Sequence, residues 1–93
     1  MTKRQPGCYL LHFDEKLAHA GHYLGASQDV PWRLTQHGKA DGSALMVAVK
    51  LAGIGWVLAR EWRTTTAREA YLLEVSLKRR KNGKSLCPVC KGV

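Results

Sequence analysis

The sequence predicts an α/β fold, in which a small three-stranded sheet, mixed or antiparallel, is flanked by helices in the order β-β-α-α-β-α. Three observations predict this order. Two short apolar runs lie close together near the N-terminus, two helical segments that end at glycine follow them, and a capped amphipathic helix comes late in the chain. With 93 residues, 45% of them apolar, the chain can form one domain with one modest core.

The N-terminal segment predicts a β-hairpin. Gly7 to Phe13 alternates and is rich in Tyr, Leu and Phe, and Ala20 to Gly25 is a second short apolar run that ends at glycine. Because Asp14 to His19 between them is polar and charged, we expect a connecting loop longer than a two-residue turn.

A first helix is predicted after the hairpin. Asp29 can cap a helix that carries Pro31 in its first turn, runs to about His37 and stops at Gly38. A loop over residues 39–42 follows.

A second helix and a third strand are predicted next. Ser43 can cap a helix over Ala44 to Ala52, which Gly53 closes. Ile54 to Trp62 then has the pattern of a strand, with alternate large apolar side chains on one face.

The last predicted helix has the clearest start signal. Thr66 and Glu69 form a capping box at its head, and the helix is expected to reach about Arg80. Its apolar stripe contains Ala67, Ala70, Tyr71, Leu73 and Leu77. Glu74 falls inside this stripe, where a carboxylate needs a partner such as a cation or a metal. The alternative is a partly exposed Glu74 paired with Arg or Lys.

The charge of the chain points to a polyanionic partner. Fifteen Lys and Arg against seven Asp and Glu leave a formal net charge of +8, which makes nucleic acid the leading partner. A merely basic domain, or one that binds ribosomal RNA or acidic proteins, is the alternative. The chain has no apolar run of about 18 residues and no apolar core behind its N-terminal charges, so we expect a cytoplasmic protein without membrane contact.

We expect the chain to consist of a domain over residues 1–82 and a basic C-terminal tail over residues 83–93. The basic run Lys78 to Lys81 either forms a solvated helix end or lines a phosphate-binding edge. Cys87 and Cys90 form half of a zinc knuckle, and a closed site needs four ligands. Zinc is therefore not expected unless the fold brings Cys8 or a histidine near. A partner chain, or two thiols without metal, is the alternative.

Two pairs of residues are candidates for phosphate chemistry. Arg33 and His37 are four apart on the first helix and share a face, and arginine suits a phosphate bidentately. Tyr9 and Tyr23 lie on neighbouring strands, which a hairpin can bring together. Taken alone, the first pair is typical of a protein surface, and the second of half-buried packing residues.

The order of these residues resembles the GIY-YIG endonuclease superfamily over nearly the whole chain up to about Asn82. Gly7-Cys8-Tyr9 matches the first triplet of the family and Tyr23-Leu24-Gly25 the second. Arg33 follows at the place of the family's essential arginine, and Glu74 matches its metal-binding glutamate. Cys8 and Leu24 replace isoleucines. The predicted order of elements agrees with the family's fold.

The resemblance implies a DNA endonuclease that uses one Mg²⁺ or Mn²⁺ bound by Glu74. It implies Tyr9 as general base, Tyr23 as the residue that orients water and phosphate, Arg33 as the transition-state cation, and His37 as a further phosphate contact or proton carrier. The metal and Arg33 then have to favour ionised Tyr9. Of the expected nucleic-acid contacts, Arg33 and Asn82 follow from the resemblance, whereas the basic run Lys78, Arg79, Arg80 and Lys81 follows from the charge of the chain.

Two other functions stay open at this point. One is a non-catalytic nucleic-acid-binding module of the same fold, and the other is a zinc-ribbon-like adaptor built on the cysteine tail. Members of the resembled family often receive their substrate choice from an attached domain, so a separate protein partner could provide targeting here.

Overall fold

The computed structural model describes residues 4–17, 20–38, 44–79 and 86–90. They form one three-stranded sheet and three helices, which confirms the predicted α/β class and the order of its elements. All strand pairs are antiparallel, and β1 lies between β2 and β3. The elements are β1 (Gly7–Leu17), β2 (Ala20–Ser27), α1 (Val30–Gly38), α2 (Ala44–Leu51), β3 (Trp56–Arg63) and α3 (Ala67–Arg79).

The hairpin strands are longer than the sequence predicts. β1 continues from Phe13 to Leu17, so most of the loop expected over Asp14 to His19 is strand. The side chains of residues 14–16 are exposed there, and a strand that extends beyond the core can carry polar residues on both faces. Polar composition therefore gave the wrong boundary.

Helices cover both faces of the sheet, and each face has its own core. The tyrosine face, defined by Tyr9, Leu11 and Phe13 of β1, packs against residues of α1 and α2. The histidine face, defined by Cys8, Leu10 and His12 of β1, packs against α3 and residues 86–90. Successive strand residues point to opposite faces, so β1 contributes to both cores. The buried side chains of the tyrosine-face core are Tyr9, Leu11, Phe13, Val30, Met46, Val49 and Ile54, and those of the histidine-face core are Cys8, Leu10, Leu77, Leu86 and Cys87.

The connection between α2 and β3 is set by a glycine. Gly53 has a φ of 73°, and its amide donates to the carbonyl of Lys50 while the Ile54 amide donates to the carbonyl of Val49. This pair of bonds is the Schellman motif, in which a left-handed residue closes a helix. Gly53 was predicted to close this helix. The strand starts at Trp56 rather than Ile54, because Ile54 belongs to the closing turn.

The last helix begins at its predicted cap, but its apolar stripe is narrower than expected. The Glu69 amide donates to the Thr66 hydroxyl over 3.2 Å. Ala70 and Leu77 are buried, whereas Tyr71 is 50% exposed. The prediction that Tyr71 belongs to the buried stripe is therefore wrong, because Tyr71 and Val75, one helical turn later, lie on a side of the helix that is open to solvent.

The described part of the C-terminal tail packs against the histidine face. Leu86 and Cys87 are buried beside Cys8, Leu10 and Leu77. Residues 86–90 thus share a core with the domain predicted over residues 1–82. No helix in the described residues is long and apolar enough to cross a membrane.

Candidate nuclease site and metal-binding cluster

Tyr9, Tyr23 and Arg33 meet at the β2 edge of the tyrosine face. The two tyrosine rings lie 6.1 Å apart between centroids with an interplanar angle of 34°. Arg33, from the first turn of α1, donates side-chain hydrogen bonds to both phenol oxygens. The structure therefore brings together three of the sequence-predicted site residues, which come from three different elements.

Gly25 makes this arrangement possible. It lies opposite Tyr9 in the hairpin register, and the Tyr9 ring passes over it. A Cβ atom on Gly25 would lie 2.6 Å from the Tyr9 hydroxyl and 2.9 Å from a ring carbon of Tyr23. A larger residue would push both rings away, so glycine is needed here for close approach.

Burial sets the protonation state of Tyr9. It raises the pKa of the Tyr9 hydroxyl above its usual value, Tyr23 raises it further, and the hydrogen bond and charge of Arg33 lower it only in part. For Arg33, burial acts to lower the pKa, but the contacts with Tyr9 and Tyr23 outweigh it and the pKa is raised. Arg33 by itself therefore does not ionise Tyr9.

A groove of about 490 Å³ runs along the edge of β2 and contains Arg33. It lies between α1 and α3, and Trp32 and Tyr71 flank it with side chains that are 55% and 50% exposed. Arg4 adds a second cation. Exposed aromatic rings beside arginines suit a nucleic-acid strand, whose bases stack and whose phosphates are anionic. Sequence analysis missed Arg4 and Trp32, although Trp32 directly precedes Arg33 on the helix.

Glu74 lies on the other side of the sheet from Tyr9. It is near Cys8 on the histidine face, where its charge adds to burial and raises the pKa of the Cys8 thiol to about 11. Its carboxylate pairs with Lys78 at 3.8 Å, and its side chain is 22% exposed. This is the alternative that the sequence left open for Glu74. Tyr71, one helical turn before it, lines the same groove as Arg33.

The chemistry of Glu74 fits a hydrated divalent ion. Mg²⁺ keeps several waters and takes one or two carboxylates, so a half-buried side chain that still reaches water can serve as its single protein ligand.

The other residues predicted to contact nucleic acid lie in α1, at the end of α3, or outside the described residues. His37 lies in α1, one turn after Arg33. Lys78 and Arg79 are exposed in the last turn of α3. Arg80, Lys81 and Asn82 lie outside the described residues.

A second group of side chains lies on the histidine face. It consists of His12, His22, Cys87 and Cys90, and we call it the His/Cys cluster. Their ligand atoms all lie within 4.8 Å of one another, so the group can hold a metal ion. His12 and His22 face each other across the β1–β2 pair. Burial, His12 and Lys16 lower the pKa of His22, which favours its neutral form.

The histidine ligands were not predicted, although the sequence contains a signal for them. The hairpin register that places Gly25 opposite Tyr9 also places His22 opposite His12. The condition set for zinc, that the fold brings a histidine to Cys87 and Cys90, is therefore met. Cys8 does not join them, because its thiol donates to the Ala70 carbonyl at 3.0 Å.

The chain was compared with protein-family models, with curated proteins and with solved structures. The chain matches no protein-family model, no curated protein and no solved structure.

Proposed function

We propose that this protein is a metal-dependent endonuclease that hydrolyses DNA phosphodiester bonds in the groove beside β2. The observation that carries the proposal is the convergence of Tyr9 and Tyr23 with Arg33. Arg33 lines the groove, and the buried Tyr9 ring lies behind it. The resemblance to the GIY-YIG superfamily rests on the same three residues and on Glu74.

In the proposed reaction, Arg33, Tyr9 and Tyr23 each have a different role at the phosphate. The guanidinium neutralises charge that develops on the phosphoryl oxygens in the transition state. Tyr9 accepts the proton of the attacking water as general base, and Tyr23 orients that water. Burial raises the pKa of Tyr9, so Tyr9 can act as a base only where a positive charge beyond that of Arg33 favours its ionised form.

Glu74, on the histidine face, is the residue that would hold Mg²⁺ or Mn²⁺. The ion supplies positive charge to the leaving oxygen when it is bound. Glu74 would give up its contact with Lys78 to take this role. The two atoms lie 3.8 Å apart and Lys78 is 59% exposed, so the pair contributes only about 0 to 1 kcal/mol.

The groove and the net charge of +8 support DNA as the partner. The rings of Trp32 and Tyr71 offer stacking surfaces on either side of Arg33. His37 is proposed as a further phosphate contact, and the basic run from Lys78 to Asn82 is proposed to bind phosphates as well. We place the protein in the cytoplasm, with a protein partner that directs it to its substrate.

A non-catalytic DNA-binding module of the same fold is the second candidate. Two observations favour it: burial raises the pKa of Tyr9, and Glu74 is paired with Lys78. Such a module would use the groove for binding and would not cut.

The test is incubation of the protein with supercoiled plasmid and with labelled branched and single-stranded DNA, with and without added Mg²⁺ or Mn²⁺. We expect cutting that depends on the added ion and that Glu74→Gln lowers by at least about 100-fold. DNA binding should persist, because the carboxylate serves the ion and not the phosphates. The metal-free condition is a buffer without Mg²⁺ rather than a strong chelator, which would also remove more tightly bound metals.

The matched control is Glu69→Gln, which removes a carboxylate from the same helix at its exposed first turn. It should cut like the unchanged protein. Binding without cutting on every substrate would replace the nuclease by the non-catalytic module, and a Glu74→Gln protein that fails to fold would make Glu74 structural.

A further inference from the structure

The His/Cys cluster has the dimensions of a closed tetrahedral metal site. Nδ1 of His12 lies 3.2 Å from Nε2 of His22 and 3.5 Å from the sulfurs of both Cys87 and Cys90. Nε2 of His22 lies 3.2 Å from the Cys90 sulfur. These are four of the six distances between ligand pairs.

Zinc bond lengths predict nearly the same distances. With Zn–N of about 2.0 to 2.1 Å and Zn–S of about 2.3 Å, a regular tetrahedron has N–N edges of about 3.3 Å and N–S edges of about 3.6 Å. Each of the four distances agrees with these values within about 0.4 Å. A single ion can therefore contact all four atoms with little movement of the side chains.

The ligand types select zinc over a hard cation. Mg²⁺ prefers oxygen ligands, whereas two sulfurs and two imidazole nitrogens are typical of tetrahedral zinc. The charges also balance, since two thiolates and two neutral imidazoles around Zn²⁺ give a site with no net charge. Cys87 is fully buried and the other three side chains are half-buried, so a neutral site suits this position.

We propose that His12, His22, Cys87 and Cys90 bind one structural zinc ion. Binding releases the thiol protons of Cys87 and Cys90 to solvent and forms four bonds to protein atoms. No coordination position is left for water or substrate, so the site is structural rather than catalytic. This site is separate from the proposed nuclease chemistry and does not depend on it.

The ion joins parts of the chain that are far apart in sequence. His12 and Cys87 are 75 residues apart, and His22 and Cys90 are 68 residues apart. A link of this kind fixes the tail against the hairpin, and links that close long loops constrain the unfolded chain most. A chain of 93 residues has a small core, and a structural metal is one way in which small domains gain stability.

The zinc site also lies behind the proposed nuclease site. His22 and Tyr23 are neighbours in β2 and point to opposite faces. Zinc therefore holds the register of the same two strands that carry Tyr9 and Tyr23.

The test is the metal content of untagged protein, measured by inductively coupled plasma mass spectrometry. We expect one zinc per chain, and less than about a tenth of that in Cys90→Ser and His22→Ala. The matched control is Cys8→Ala, which removes the third cysteine, buried on the same face but outside the cluster. It should keep its zinc.

Cobalt substitution provides a readout that needs no variant to fold. Co²⁺ added to zinc-free wild-type protein should give the intense visible bands of tetrahedral coordination and a thiolate charge-transfer band, and one equivalent of Zn²⁺ should abolish both. Wild-type protein without zinc and without these bands would overturn the proposal. So would a Cys87–Cys90 disulfide in freshly purified protein, or zinc retained in the Cys90→Ser and His22→Ala variants. None of these outcomes depends on nuclease activity.

Discussion

The two faces of the β1–β2 hairpin carry different chemistry on alternating residues. On the tyrosine face, two phenols and a guanidinium meet beside a groove that is open to solvent. On the histidine face, two imidazoles and two thiols enclose a space that fits one ion. The groove beside Arg33 has a volume of about 490 Å³, whereas the ligand atoms of the second arrangement all lie within 4.8 Å of one another.

The difference shows how a small domain can place two groups of chemically different side chains on opposite faces of one hairpin. A strand with a period of two can present Tyr23 to one face and His22 to the other without any insertion. Tyr9 and Tyr23 then share two strands with His12 and His22 but lie on the opposite face of the hairpin. Variants can therefore be directed at one face at a time.

The largest effect is expected from Gly25→Ala on the tyrosine face. The added methyl group would lie 2.6 Å from the Tyr9 hydroxyl, so both rings have to move, and a shift of about 1 Å can lower turnover about 100-fold. Zinc content should not change. The measurement is the plasmid-cutting rate and the zinc stoichiometry of the same preparation.

Gly21→Ala is the control for this substitution. Gly21 lies in the same strand, and a Cβ atom there would lie 3.6 Å from the Lys16 side chain, which is an ordinary contact. Gly21→Ala should cut at the wild-type rate. If Gly25→Ala cut at that rate too, the tyrosine arrangement would not matter for turnover, and if it lost zinc, the two faces would not be independent.

A smaller, pH-dependent effect is expected on the histidine face at Cys8. Burial, with a contribution from the negative Glu74, raises the pKa of this thiol from 9.0 to about 11. A raised pKa in the folded state stabilises the fold fully below the unfolded pKa, and this contribution is lost as the pH rises from about 9 towards 11.

The free energy of unfolding in urea, measured at about pH 8 and about pH 10.5 for the wild type and Cys8→Ala, tests this effect. The wild type should be more stable at the lower pH, and the difference between the two proteins should shrink at the higher pH. Both proteins carry the same lysines and tyrosines, so the stability that these groups lose at high pH cancels in the difference between the two proteins. A difference that stays constant with pH would mean that the Cys8 thiol titrates equally in the folded and unfolded protein.

The smallest effect is expected from Lys78→Ala at the end of α3, outside both clusters. Lys78 is 59% exposed and lies 3.8 Å from Glu74, so the free energy of unfolding should change by less than about 1 kcal/mol. If the basic run lies along DNA, the slope of log affinity against log salt should fall by about one. An unchanged slope would identify the run as a solvated helix end.

Local signals in the sequence predicted most element positions. Gly53 closes α2 and Thr66 caps α3 as expected, because such caps depend on bonds within a few residues. The first strand was predicted to end at Phe13 but ends at Leu17, and Tyr71 was predicted to be buried but is half exposed. Both depend on how far the sheet and its partners extend, which neighbouring residues do not encode.

The sequence by itself determined the α/β class, the hairpin, the Thr66 cap, the Gly53 helix end, and the separate presence of a tyrosine pair, an arginine and half of a metal knuckle. Only the tertiary structure decided which residues meet. It joined Arg33 to the two tyrosines, placed Glu74 near Cys8 on the histidine face, and brought His12 and His22 to Cys87 and Cys90. The reason is that caps and periodicity act over a few residues, whereas a site made from strands, a helix and a tail depends on contacts between residues up to 78 apart.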